Sequence, residues 1–212
     1  MSELLYRTVR LTGTAVFRLA STPKILHLER ARLTGAYLLA ANHAAVYDAP
    51  LIIAATPRVI YWLSVVEIFR HPLSRWFLNA FGALPLDREK VDTMTMRKVV
   101  RLLDAGQVVG IFPEGGLRND EDTVLRSGRI DSGVCKLAQL AKVPVLPCVV
   151  LGGEKFYRWT NWLPGARTRW AVAFGEPILP RSEPDRVTAQ AAMAEEITLA
   201  LRALSVEAAA YV

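Results

Sequence analysis

His43 and Asp48 stand five positions apart in the stretch ANHAAVYDAP, residues 41–50, just as an apolar run ends. An imidazole beside a carboxylate is the pairing that a general base needs. The carboxylate, hydrogen-bonded to one ring nitrogen, fixes the tautomer and stabilises the imidazolium that forms when the other nitrogen takes a proton. On a regular helix, residues i and i+5 point about 140° apart and do not face each other. The spacing works if His43 occupies the turn leaving a strand and Asp48 opens the following helix. That is the strand end at which α/β sheets usually bind ligands. Taken alone, such a spacing more often belongs to a purely structural polar turn.

A second chemistry-bearing stretch is IFPEGGLRND, residues 111–120, where an apolar run ends in Pro113, Glu114, Gly115 and Gly116, followed by Arg118. Glycines let the backbone approach an anion closely, and a guanidinium fork matches phosphate. Amides near Gly115 or Gly116 would suit the oxyanion of a tetrahedral intermediate. A third stretch, GALPLDRE, residues 82–89, ends in Asp87 and Arg88, which reads as a second phosphate clamp or as a surface turn. No His/Cys cluster has metal-ligand spacing, so no metal is expected. No G-x-S-x-G elbow occurs either, so no nucleophilic Ser is marked, and an imidazole base could instead activate a substrate hydroxyl directly. His71, before Pro72, reads as a helix start, and His27 as structural.

The elements that must position these residues are short and continuous apolar runs alternating with helical patterns. The runs are 36–42, 59–65, 83–87, 108–113, 143–152 and 169–175. Unbroken apolar character predicts strands covered on both faces. Helices are expected over 92–106, 129–142 and 182–204, the last opening on Ser182, Pro184 and Asp185. Strand and helix in alternation predict an α/β fold with a central, mainly parallel sheet flanked by helices.

A chain of 212 residues suits one domain, expected over 1–212. Its formal charge of +6 suggests an anionic partner. Residues 1–32 hold six Lys/Arg against two Asp/Glu, and their apolar positions make an amphipathic N-terminal helical segment. Such a segment either lies in a membrane interface or packs on the sheet with solvated arginines. Two further stretches, 68–82 and 154–170, interleave Trp with Arg in the manner of a headgroup boundary or of a core whose arginines snorkel outward. No run is long enough to span a bilayer and no export signal is seen. Cys135 and Cys148 are expected as free thiols, with Cys148 a small buried hydrophobe.

Four stretches together resemble the glycerolipid acyltransferase family, which includes the lysophosphatidic acid acyltransferases. NHAAVYD (42–48) matches its NH-x4-D motif and FPEGGLR (112–118) resembles its FPEG motif. Gly82–Arg88 looks like the motif between them, and VPVLPCVV (143–150) like the final Val-Pro strand. The resemblance implies transfer of a fatty acyl group from acyl-CoA or acyl carrier protein to the hydroxyl of a lysophospholipid such as 1-acylglycerol-3-phosphate. His43 would be the general base and Asp48 its orienting partner. Arg88, Glu114, Gly115, Gly116 and Arg118 would bind the acceptor and its phosphate, with no cofactor beyond the thioester substrate. Arg118 stands one position later than in many members, and Ala45 replaces a common Ser. Other acceptors remain open, namely a glycolipid, an amino-acid lysolipid or glycerol-3-phosphate, as does a non-catalytic anionic-lipid binding protein. The expected partners are the lipid acceptor, the thioester donor and a membrane surface, with no nucleic acid. The expected place is the cytoplasm, peripheral on the inner face of the membrane.

Overall fold

A computed structural model describes residues 3–87, 93–118, 120–181 and 185–212. The order is α1 (Glu3–Ala20), β1 (Ser21–Leu26), β2 (Tyr37–Ala41), α2 (Asp48–Ala55), β3 (Ile60–Val65), α3 (Pro72–Ala80), β4 (Leu84–Leu86), α4 (Thr93–Asp104) and β5 (Val108–Ile111). Then come the one-turn α5 (Val124–Ser127), α6 (Gly133–Ala141), β6 (Val145–Leu151), β7 (Thr168–Phe174) and α7 (Arg186–Ala209).

The strands form one seven-stranded sheet in the order β1-β7-β6-β2-β5-β3-β4. From β6 to β4 every neighbouring pair is parallel; β7 runs antiparallel to β6, and β1 runs parallel to β7. The sheet is therefore mainly parallel, as the continuous apolar runs predict. All five residues of β2 are buried. Tyr37, Leu39 and Ala41 join the core layer under α1 and α2, while Leu38 and Ala40 join the layer under α4, α6 and α7. A strand clothed on both faces has no polar side to show, which is why its sequence does not alternate.

β1 was not among the expected strands. Its sequence, STPKIL, carries Pro23 and Lys24, both tolerated because β1 is the outermost strand and pairs on one side only. α4 follows its predicted pattern, burying Val99 and Leu103 and stopping at Gly106, whose φ of +74° a glycine adopts without strain. α6 begins at Gly133 and not at Arg129. The Asp131 amide donates to the Pro113 carbonyl at 2.7 Å, and the Asp131 carboxylate accepts from the Gly133 amide at 2.6 Å, so this segment is tied to the 112–116 loop. α7 starts at Arg186, with Asp185 capping the Val187 and Thr188 amides, and continues to Ala209, beyond the predicted end. Ser182 and Pro184 lie outside the described residues.

The N-terminal helix packs into the core. Tyr6 and Phe17 are buried, and the Tyr6 hydroxyl accepts from the Ile60 amide at 3.2 Å. Arg10 donates to the Thr56 and Pro57 carbonyls at 3.1 and 2.9 Å, and the Phe17 ring meets Phe156 edge-on at 5.1 Å. Leu11, Val16 and Leu19 stay exposed on its outer side. Among the described residues, no helix is long and apolar enough to cross a membrane.

Candidate active site

Five parallel strands end along one edge of the sheet, and the loops that leave them meet there. β2 lies between β6 and β5. Its exit therefore sits between the loop after β5, residues 112–116, and the glycine pair after β6, residues 152–153. This geometry places His43 among partners more than sixty residues away in sequence.

Asn42 anchors the exit. Its side-chain amide donates to the Val150 carbonyl at 3.0 Å and its side-chain carbonyl accepts from the Val150 amide at 2.8 Å. The chain then turns, and α2 begins at Asp48 as the spacing predicts. Asp48 Oδ2 accepts from the Ala44 and Ala45 amides, both at 2.7 Å, and from His43 Nδ1 at 3.3 Å. With the carboxylate as acceptor, Nδ1 carries the ring proton and Nε2 keeps its lone pair. Among the described residues, no other side chain is hydrogen-bonded to the His43 ring, so Nε2 is the nitrogen left unengaged. Asp48 is only 1% exposed, and the negative charge gains from the amide-rich start of α2.

The His43 ring also has a defined plane. It stacks on Phe112 with centroids 3.9 Å apart and an interplanar angle of 9°, and Phe112 stacks on Trp62 at 4.5 Å and 16°. Trp62 lies over Gly110, where a Cβ would stand 2.6 Å from the indole. The indole N–H of Trp62 is buried without a hydrogen-bond partner among the described residues.

Glu114 is buried and acts as a brace. Its Oε1 accepts from the Val124 amide at 3.0 Å, while Oε2 makes no hydrogen bond of ordinary geometry among the described residues. Burial pushes its carboxyl above the usual carboxylate range. The Val124 amide and the His43 backbone and imidazole oppose that shift, and the Asp48 carboxylate adds to it. Gly115 has a φ of +75°, and its amide donates to the Phe112 carbonyl at 3.0 Å, so it serves the turn. The Gly116 amide has no partner among the described residues, which leaves it as the free donor of the pair. Arg118 folds back: Nε and Nη2 donate to the Glu114 carbonyl at 3.2 and 3.0 Å, and its own amide donates to the His43 carbonyl at 3.0 Å. Its guanidinium lines a polar cavity of about 310 Å³ with Arg129, Asp122 and Asp131. Arg88 lies outside the described residues.

His43 itself lines an apolar cavity of about 340 Å³, walled by Ile53, Trp62, Phe77, Phe81 and Phe112 and floored near the loop by Gly115 and Gly116. Sequence reasoning missed three residues that hold this arrangement: Asn42, Phe112 and Gly153. Gly153 leaves room for the Asp48 carboxylate, because a Cβ there would run into Oδ1. The signal available was the glycine pair ending the Val-Pro strand.

The remaining expectations sort cleanly. His71 caps α3, its Nδ1 accepting from the Leu73 amide at 3.3 Å, and His27 meets the Glu207 carboxylate at 3.0 Å. Both cysteines are buried; burial raises the Cys135 thiol to about 11 and pushes Cys148 further up, so neither is a ready nucleophile. The Trp-rich stretches divide. Trp170 is buried against Ser21 and Trp162 donates to the Phe156 carbonyl, while Trp76 and Trp159 stand exposed.

An imidazole–carboxylate pair thus stands at the carboxyl edge of a mainly parallel sheet and opens on an apolar cavity. The chain belongs to the Acyltransferase family, whose model matches residues 23–151. It is 26% identical over 159 residues to the 1-acyl-sn-glycerol-3-phosphate acyltransferase of Bacillus subtilis strain 168, covering 73% of each chain. The enzyme of the same name from Streptococcus pneumoniae is 25% identical over 143 residues, 67% of this chain but only 50% of that one. The crystal structure of the 1-acyl-sn-glycerophosphate acyltransferase of Thermotoga maritima shares the fold, with a TM-score of 0.66 at 20% identity over 94% of this chain and 79% of that one.

Two outcomes are expected. Gly153→Ala displaces the Asp48 carboxylate and, through it, His43. A displacement of about 1 Å in a reacting group can cost roughly 10²-fold, so acyl-transfer turnover should fall by about that much, and because the displaced carboxylate is buried the melting temperature should fall as well. Steady-state kinetics beside thermal unfolding checks this. Glu114→Gln keeps the acceptor for Val124 and removes the charge. The raised folded-state pKa means that the folded protein holds a proton the unfolded chain has released. Stability therefore declines as pH rises from the ordinary carboxylate range through the raised value. Gln should flatten that part of the melting-temperature profile and match or exceed the wild type above it.

Proposed function

We propose that this acyltransferase moves a fatty acyl group from acyl-CoA or acyl carrier protein to the free hydroxyl of 1-acylglycerol-3-phosphate, with residues 1–212 acting as one acyltransferase domain. The observation that carries the reading is His43: oriented by Asp48, ring plane set by Phe112, Nε2 unengaged at an apolar cavity. The names of the Bacillus and Streptococcus relatives support this acceptor.

An alcohol at neutral pH is a poor nucleophile. In this mechanism Nε2 takes the hydroxyl proton as the oxygen attacks the thioester carbonyl carbon. The tetrahedral oxyanion points toward the Gly116 amide. When the C–S bond breaks, the imidazolium returns its proton to the leaving thiolate. Asp48 keeps the tautomer correct and offsets the transient positive charge. The donor chain lies in the apolar cavity beside His43. Arg118 with Arg129, and Arg88, supply positive charge for the acceptor phosphate; Arg118 serves while still tied to the Glu114 carbonyl, which holds it near the loop.

The lipid acceptor places the work at a membrane surface, on its cytoplasmic face. Ile68, Leu73, Trp76 and Phe77 are exposed beside the apolar cavity, and Arg70 and Arg75 stand among them. Apolar side chains entering the headgroup boundary and arginines meeting anionic lipid would act together, each cation worth about 1 kcal/mol near the surface.

The deciding experiment offers labelled acyl-CoA to a panel of acceptors and identifies product by mass. His43→Ala should lower the rate by roughly 10²-fold or more, and Asp48→Asn should also lose much of it, with folding intact by circular dichroism. A His43→Ala enzyme keeping more than about a tenth of the rate would exclude base catalysis of that size. Product from glycerol-3-phosphate or a glycolipid alone would reassign the acceptor, and anionic-lipid binding with no product from any acceptor would leave a binding protein. For the membrane, the protein should co-sediment with vesicles containing anionic lipid, less with zwitterionic ones, and should release as salt rises. Trp76→Glu should weaken that binding; sedimentation indifferent to lipid charge, salt and Trp76 would remove the surface assignment.

A further inference from the structure

We propose that a second apolar cavity, which reaches Phe112 but not His43, holds the acyl chain that the acceptor already carries. The inference rests on the proposed acceptor and goes beyond it by giving that chain a place. This cavity measures about 350 Å³ and is lined chiefly by Leu63, Met96, Ile111, Val134 and Leu137, in the core layer under α4 and α6. The first apolar cavity, about 340 Å³, belongs to the opposite layer, where Ile53 and Trp62 pack. The two abut along β3 and the loop, sharing Leu63, Ser64, Val65, Phe112 and Gly115; only the first reaches His43, and only the second reaches Met96, Val134 and Leu137.

The polar cavity with Arg118 and Arg129 adjoins the second apolar one, sharing Pro113 and Asp131 with it. Three cavities, two apolar and one polar, therefore meet at the single loop 112–116. The acceptor is a three-carbon unit with three different substituents: an acyl chain, a reacting hydroxyl and a phosphate. With the hydroxyl at His43, the phosphate falls to the polar cavity and the existing chain to the apolar cavity beside it. The donor chain, which must approach the same hydroxyl without occupying the same volume, takes the first cavity. Two carboxylates, Asp122 and Asp131, line the same space as Arg118 and Arg129; that of Asp131 is engaged by the Gly133 amide at 2.6 Å, and the two guanidiniums are the groups that would meet the phosphate.

Met96 is a partly buried residue of α4 that lines the second apolar cavity and not the first. Met96→Trp fills the cavity and Met96→Ala enlarges it. With one acyl-CoA held fixed and 1-octanoyl-, 1-myristoyl- and 1-oleoylglycerol-3-phosphate as acceptors, Met96→Trp should lower kcat/KM for the oleoyl relative to the octanoyl acceptor by roughly tenfold or more. Met96→Ala should move the preference toward the longer chain. The acyl-CoA chain-length profile, measured with the octanoyl acceptor, should not change in either variant. A shift in the donor profile would reassign the cavity to the donor, and unchanged profiles for both substrates would remove it from the site; either result overturns the inference. Should Met96→Trp fail to fold, Met96→Ala alone decides. If the wild type acylates no lysophospholipid, the proposed function falls and this inference with it. If it does so but its acceptor-length profile ignores Met96, this inference alone falls.

Discussion

One oxygen atom organises this molecule. Asp48 Oδ2 gathers the Ala44 amide, the Ala45 amide and His43 Nδ1, and the carboxylate is almost fully removed from water. An unpaired buried carboxylate would cost several kcal/mol, so the turn from β2 into α2 has to close around it. That closure puts the imidazole over the sheet edge, starts α2 at an acidic residue suited to the helix dipole, and requires a residue without a side chain at position 153. A buried charge that would be a liability elsewhere here fixes a tautomer.

The loop 112–116 has the complementary task. It supplies the ring that carries His43, the turn that frees the Gly116 amide and the common wall of three cavities. It is held from outside the site. Glu114 reaches the Val124 amide at the start of α5, and α5 is tied to α7 by Arg202, which donates to the Leu125 and Arg126 carbonyls at 3.2 and 2.6 Å. Pro113 is tied to Asp131 ahead of α6. A loop that must approach a substrate closely thus takes its rigidity from helices on the far side of the sheet. Burying the Glu114 carboxyl costs part of that stability, which its raised pKa records.

The aromatic stack joins the two tasks. Asp48 constrains the His43 ring within its plane and Phe112 constrains the plane itself, so the direction of Nε2 is set from two sides. Trp62 backs Phe112, and Gly110 lets Trp62 lie flat on β5. The same aromatics wall the cavity proposed for the donor chain. The cavity proposed for the donor chain and the orientation of the His43 ring therefore share a physical support, and a chain seated against Phe112 would press on the ring that steadies the imidazole.

Much of this was legible in the sequence because it is local. The five-residue spacing of His43 and Asp48, the glycines after Glu114 and the unbroken apolar runs each concern neighbours along the chain, whose geometry backbone stereochemistry limits. Such features pointed to the mainly parallel α/β fold, the pairing of His43 with Asp48 and the loop beside it. Strand order was not local. Asn42 bonds to Val150 across 108 positions, and Phe112 reaches His43, only because β6, β2 and β5 stand side by side. N-terminal amphipathicity was equally ambiguous, since an apolar stripe fits a bilayer or a sheet, and the buried Tyr6 and Phe17 show that much of this one packs on the sheet. Arg118 is the sharpest case. The sequence marked it as a fork for phosphate beside a glycine turn, but the turn at Gly115 brings the Glu114 carbonyl within its reach, and the guanidinium bonds there. Residue type and spacing determined which chemistry was available; the folded chain decided which groups were left free to perform it, because hydrogen bonds and buried surface are shared out only once distant segments meet.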